Sequence, residues 1–266
     1  MIDIGLITKT TPALSRRALG EAYSNVRPAY SRATVERINL GKSVYVPQPQ
    51  ATPERASAPQ RPAATQPQAR PVRPAPTLRR PELQRPVQRG QKTPLGIRQG
   101  AGDKLQIGFG WNVKDGRCDV DASAFLLGAD GKVPSDDWFV FYGQPESPDG
   151  AVRIGPQGGG DRQVLSVDLH KLSPQIQRVV FVMTINEALE NHLNFGMIAD
   201  AWLRVLDGAG RELVSYSPAE LYENITSMTL GELYLRNGEW RFNPVGNGMD
   251  TDLAGQCAVY GVNISD

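Results

Sequence analysis

Asp119-Val120-Asp121 opens directly into an apolar run, Ala122 to Leu127. Residues two apart on a strand share a face, so these carboxylates lie side by side and repel unless a cation or a positive side chain comes between them. Calcium, a hard ion that takes about six to eight oxygen ligands, suits such a pair if loops supply the remaining oxygens. Asp136 and Asp137 ahead of Trp138, Asp161 after a run of glycines, and Glu187 are the available contributors. Their order does not match an EF-hand, which needs a glycine and a glutamate at fixed later positions. A metal site here has to be assembled from separate loops. Arg117 and Arg162 lie beside these carboxylates in the sequence and offer the competing arrangement, in which a guanidinium supplies the positive charge.

Other chemistry finds little material. His170 and His192 are the two histidines, and Cys118 and Cys257 the two cysteines. That leaves little for a zinc site of the usual type and no CxxC pair. Gly158-Gly159-Gly160 is not followed by the Lys-Ser/Thr of a phosphate loop, and no GxSxG nucleophile elbow occurs. The expectation is a protein without catalytic activity, whose cysteines are reduced and structural.

The elements that must position the carboxylates read as strands. Leu105, Ile107, Phe109 and Trp111 occupy alternate positions from Lys104 onward, which is the pattern of a half-buried strand. Further strands are predicted over Ala122 to Leu127, Trp138 to Tyr142, Gln163 to Leu169, Arg178 to Ile185, Ala201 to Leu206, Glu212 to Tyr216, Met228 to Leu235 and Glu239 to Asn243. Asp115-Gly116, Asp130-Gly131, Asp149-Gly150, Asp207-Gly208 and Asn237-Gly238 separate them as turns. Short strands at even spacing predict an antiparallel β-sandwich. One or two short helices are expected, near Pro218 to Tyr222 and from Thr251 to Tyr260. Trp111, Trp138, Trp202 and Trp240 fall within or at the ends of strands, as core residues do.

Charge divides the chain. The formal net charge of +1 hides seven Lys/Arg against three Asp/Glu in residues 1–46, nine against two in 47–94, and thirteen against twenty-three in 95–266. Residues 47–94 also hold twelve prolines among Gln, Ala and Arg, too little apolar material to offset the entropy of ordering. They are expected to form a disordered linker, partly polyproline II. Its arginines offer contacts for an acidic surface, nucleic acid or anionic lipid, and the competing readings are a solvated spacer or a basic arm folded back on its own acidic domain. Ahead of it, residues 1–46 form a short, weakly structured segment, with a helix from Thr11 to Ser24 and a strand from Arg37 to Val46 as its candidate elements. Residues 95–266 are expected to form the folded domain. No apolar run after Met1 has the length of a signal peptide, and no window reaches the length of a membrane span, so the expected place is the cytoplasm.

The string GWNVKDGRCDVDASAFLLGADGKVPSDDWFVFYGQPESPDGAV resembles the signature of the tellurium-resistance TerD family. VDLHKLSPQIQRVVFVMTI, NFGMIADAWLRVLD and GELYLRNGEWRFNPVGNG resemble later family blocks in the same order, so the resemblance covers nearly all of residues 104–263. It implies a TerD-type β-sandwich of bacterial tellurite resistance and general stress response that binds calcium at clustered acidic residues. Its partners would be other stress-operon proteins, some attached to a membrane. Carried over by position, the acidic motif falls on Asp119 and Asp121, on Asp136 and Asp137, and on Asp161. The chain also departs from the pattern. Gly155 to Gly160 shortens a loop that usually carries more acid, Asp161-Arg162-Gln163 replaces a more acidic string, and Thr184-Ile185-Asn186-Glu187-Ala188 puts a glutamate where an aspartate is common.

Overall fold

Alternation of apolar residues in Lys104–Val113 gives strand β2, whose Leu105, Ile107 and Phe109 are buried. Phe109 meets Phe181 edge-on, with ring centroids 5.9 Å apart, and Phe181 belongs to the opposite sheet. A computed structural model describes residues 77–155, 158 and 160–263 of the chain. The elements expected within residues 1–46, and the linker up to residue 76, lie outside the described residues.

Among the described residues eleven strands form two sheets. They are β1 (Thr93–Arg98), β2, β3 (Val120–Leu127), β4 (Phe139–Val140), β5 (Val152–Gly155), β6 (Gln163–Asp168), β7 (Arg178–Ile185), β8 (Ile198–Asp207), β9 (Glu212–Tyr216), β10 (Ser227–Arg236) and β11 (Glu239–Met249). One sheet runs β1-β11-β10-β7-β3-β4 and the other β5-β6-β2-β8-β9. Every ladder between these strands is antiparallel. The expected antiparallel sandwich is the fold, and one α-helix, α1 (Leu253–Tyr260), follows it. All four tryptophans are buried.

Local chemistry explains several boundaries. Asn237-Gly238 joins β10 to β11 directly after the Arg236–Glu239 pair, and both residues have positive φ (52° and 71°), as a two-residue hairpin of primed type requires. Asp252 caps α1, its Oδ1 accepting the Gly255 N–H at 2.9 Å, and Gly261 ends the helix at φ 83°. Pro218 to Tyr222, expected as helical, is an irregular segment. It is too short for helical hydrogen bonds to repay nucleation, and α1 is the only α-helix among the described residues. Among those residues no helix is long and apolar enough to cross a membrane.

The boundary expected at residue 95 falls inside the sandwich. Residues 78–98 form a strap that ties the outer edges of both sheets. Asn112 of β2 accepts the Leu78 N–H at 2.7 Å and donates to the Leu78 carbonyl at 2.9 Å. Glu212 accepts the Arg85 N–H, and Arg85 and Val87 bond Ser215 of β9 on either side of Pro86, in parallel register. β1 then pairs with β11 through a bulge between Pro94 and Ile97. Proline lacks an N–H, and an edge is where a sheet tolerates that loss. The inward side chains Leu78, Pro81, Leu83 and Val87 are half-buried, while Arg79, Arg80, Arg85 and Arg89 are exposed.

Candidate functional site

Asp119 and Glu187 meet because β3 and β7 pair. Val120 stands opposite Ile185, and the Asn186 N–H donates to the Asp119 carbonyl at 2.8 Å. This puts the residue before β3 next to the turn after β7. Glu187 sits in that turn at φ 50° and is fixed by Asn191, whose Nδ2 donates to Oε2 at 3.1 Å. Burial pushes the Glu187 carboxyl above its ordinary range. The Asn191 bond opposes that rise, and the charges of Glu190 and Asp119 add to it. Asp121, 6% exposed, faces Thr184 across the ladder, and Thr184 in turn faces Ser227 of β10.

Asp161 lies elsewhere, on the β2–β8 sheet. Its carboxylate takes Nη2 of Arg204 at 2.6 Å, Nε of Arg204 at 3.2 Å and Nε1 of Trp202 at 2.9 Å. The side chain is 1% exposed. Two glycines of β2 make room for this cluster. A Cβ on Gly108 would fall 2.1 Å from Asp161 Oδ2, and one on Gly110 would fall 1.9 Å from the Trp202 ring. Asp161 therefore reaches any metal only by giving up protein donors that already neutralise it.

Arg204, about three-quarters of the way along the chain, makes this ion pair, and neither arginine singled out beside the carboxylates does. Arg162 donates to the Trp111 carbonyl and, at 3.1 Å, to Asn112 Oδ1. Arg117 closes on Asp115 at 2.6 Å. Arg204 carried a signal in the sequence, being the one charge inside the apolar run Ala201 to Leu206 of β8. Gln163 carried none. Its amide donates to the Ala122 carbonyl at 2.8 Å and accepts the Ala122 N–H at 2.9 Å, extending the β3 edge beyond the two-residue β4.

Asp136 and Asp137 form a 3-10 turn ahead of β4. Asp136 accepts the Asn263 N–H at 2.7 Å, and the Asp137 carbonyl accepts Nε2 of Gln144 at 2.8 Å. The six carboxylates thus fall into separate groups. Asp119 joins Glu187, Asp121 is buried one pleat along, Asp136 and Asp137 share a turn, and Asp161 is ion-paired. Among the described residues no three His, Cys, Asp or Glu side chains converge to hold a metal ion. A calcium ion at Asp119 and Glu187 would depend on backbone carbonyls and water for most of its ligands.

His170 and His192 are exposed in separate loops. Cys118 and Cys257 are buried, and burial pushes the Cys118 thiol up to about 11 and the Cys257 thiol higher.

The profile of the TerD domain matches residues 84–260. The tellurium resistance protein TerD of Serratia marcescens is 39% identical over 169 residues, which are 60% of this chain and 88% of that relative. General stress protein 16U of Bacillus subtilis is 35% identical over 188 residues, or 67% of this chain and 97% of that protein. A crystal structure of SAV2460, a protein of unknown function, has a TM-score of 0.50 at 26% identity, covering 63% of this chain and 99% of that one.

Proposed function

The chain belongs to the TerD domain family, and on that premise we propose that it is a non-catalytic interaction module of the bacterial tellurite and general stress response, with a weak calcium site where Asp119 meets Glu187. The observation that carries the reading is this pair of carboxylates. Two strands hold them within electrostatic reach of each other, and the Glu187 carboxyl is raised chiefly by burial, with the charges of Glu190 and Asp119 adding to it. A divalent ion relieves such repulsion, and the relief stabilises whatever conformation the turn at 186–194 takes with the ion bound. With only two carboxylates, affinity falls at the weak end of the range for calcium sites, about 0.1–1 mM.

Absence of catalysis is supported by the same geometry. His170 and His192 are exposed in separate loops, and burial raises both thiols, which keeps them protonated and unreactive. Names carried by the relatives supply the cellular setting, tellurium resistance for one and general stress for another.

Calcium titration of the full chain by calorimetry, alongside thermal unfolding with and without chelator, tests the site. Binding that raises the melting temperature and is lost in Glu187→Gln supports it. No heat and no shift at ~5 mM calcium, well above the expected range, removes the ion from the reading. Tellurite tolerance of a host lacking the protein, restored by the wild-type chain, tests the setting. Failure to restore it, with the protein expressed and folded, removes that part.

A further inference from the structure

The strap docks on β9 through main-chain groups. Ser215 donates its N–H to the Arg85 carbonyl at 2.9 Å and accepts the Val87 N–H at 2.9 Å, while Glu212, 4% exposed, accepts the Arg85 N–H at 2.7 Å. In this parallel register Pro86 stands opposite Ser215, and the backbone groups of residue 86 point away from β9, so a proline costs no hydrogen bond there. Arg85 and Pro86 are exposed, whereas Val87 is half-buried and packs on the core. Backbone bonds therefore hold the segment, and the valine is the side chain that the groove reads.

The seated sequence occurs twice. Of the twelve prolines in residues 47–94, Pro71 and Pro86 are the two followed by valine, and arginine precedes both, giving Arg70-Pro71-Val72 and Arg85-Pro86-Val87 fifteen residues apart. We propose that the β9 edge is a recognition groove for Arg-Pro-Val, and that Arg70-Pro71-Val72 of the same chain is its second occupant. The strap then has two registers on one body.

Chain length permits this and sets which register dominates. Residues 88–92 join the seated Val87 to β1 at Thr93, and with Val72 seated the joining segment becomes residues 73–92. Lengthening that loop from five residues to twenty lowers the population about eightfold through chain entropy. The second register also lacks two contacts of the first, because Gln68 and Ala63 stand fifteen residues ahead of Leu83 and Leu78. The first register is the resting state. The second keeps the groove filled while residues 73–92 leave the body, which undoes the bonds between Leu78 and Asn112 and frees Arg73, Arg79, Arg80, Arg85 and Arg89 in one basic loop. Tethering holds the upstream copy at an effective concentration on the order of millimolar, so it reaches the groove ahead of a second molecule.

Amide exchange of the full chain, read at Ser215, tests this with Val72→Asp, Val87→Asp and the double variant, since an aspartate is costly against the core. Val72→Asp should match the wild type. In Val87→Asp the upstream copy takes the groove, so Ser215 N–H protection should stay within about threefold of the wild type while trypsin cuts after Arg79 about tenfold faster. The double variant leaves no copy to seat, and its Ser215 N–H should exchange roughly tenfold faster again. Unchanged exchange in β10 and β11 verifies that each variant is folded. Equal loss of protection in Val87→Asp and the double variant overturns the proposal, because nothing then replaced the first copy. Full protection in the double variant overturns it too, because the groove then does not read valine. Protection in Val87→Asp that falls on dilution assigns the incoming segment to another molecule and overturns the single-chain register.

Discussion

The Asp161 carboxylate fills the space that a side chain at Gly108 would occupy, with Oδ2 standing 2.1 Å from where a Cβ would be. Because the same oxygen holds Arg204 at 2.6 Å, the glycine and the ion pair are a single structural unit. Gly108→Ala is expected to drive the carboxylate off Arg204 and to destabilise the fold by about 3–5 kcal/mol, the range for breaking a buried pair. Gly155→Ala, whose Cβ meets its nearest atom at 3.6 Å, should change stability by less than about 1 kcal/mol. Urea unfolding of the two variants checks the contrast, and equal midpoints would refute it.

Gln163 and Ala122 form a second such unit. With β4 only two residues long, the β3 backbone at Ala122 bonds the Gln163 amide where a neighbouring strand would otherwise be. Gln163→Leu should leave both backbone groups without partners, at a cost of about 1–3 kcal/mol for each buried group. Amide exchange reads this locally. The Ala122 N–H should lose protection in the variant while amides of β10 and β11 keep theirs.

Glu187 gives a pH signature whose sign follows from its shift. Its carboxyl is raised in the folded chain above an ordinary value of 4.5, chiefly by burial, so the folded state holds the proton more tightly than the unfolded state. The stability contributed by Glu187 is complete below 4.5 and is lost as pH climbs through the folded titration. Carbon-13 titration of the carboxyl should place its midpoint above 4.5, and Asp119→Asn should move it downward by removing a like charge. Unfolding free energies of wild type and Glu187→Gln should diverge across this window, the wild type falling with rising pH. A midpoint at or below 4.5 contradicts the picture.

Release of the strap can be followed by proteolysis. Asn112 holds Leu78 through two hydrogen bonds, and Arg80 and Arg85 are each followed by proline, which leaves Arg79 as the tryptic site beside the latch. Asn112→Ala removes both bonds, worth about 1–3 kcal/mol together. Cleavage after Arg79 should accelerate roughly tenfold when opening precedes cutting. Unchanged cleavage would mean that Leu83 and Val87, not Asn112, keep the strap in place.

β2 was legible from its period of two and Arg178 to Ile185 from its unbroken apolar run, and Glu212 to Tyr216 also has the expected bounds. β1 was hidden because Pro94 and Gly96, the residues that read as loop, are the ones a bulged edge strand accepts. β5 was hidden by its brevity. Among candidate site residues, the sequence groups Asp119 with Asp121, and the fold groups Asp119 with Glu187. A β3–β7 register spanning more than sixty residues decides that, and no local pattern encodes it. Asp161 reads as a ligand while its neighbours in space are unknown. Once Arg204 lies across from it, 43 residues away in sequence, the carboxylate has its counter-charge.

Synthesis order gives the strap a further consequence. It is among the first parts of the domain to leave the ribosome, yet the groups it bonds come late, with Arg85 and Glu212 separated by 127 residues and Lys92 and Arg241 by 149. At ~5–20 residues per second, Leu78 to Arg98 wait on the order of 10 s for β9 and β11 to be made. Until then β2 and β3 stand without the edge that closes them. A ribosome that stalls before residue 212 therefore presents a half-sandwich with an unsecured basic tail, the stage at which a chaperone or protease would meet this chain.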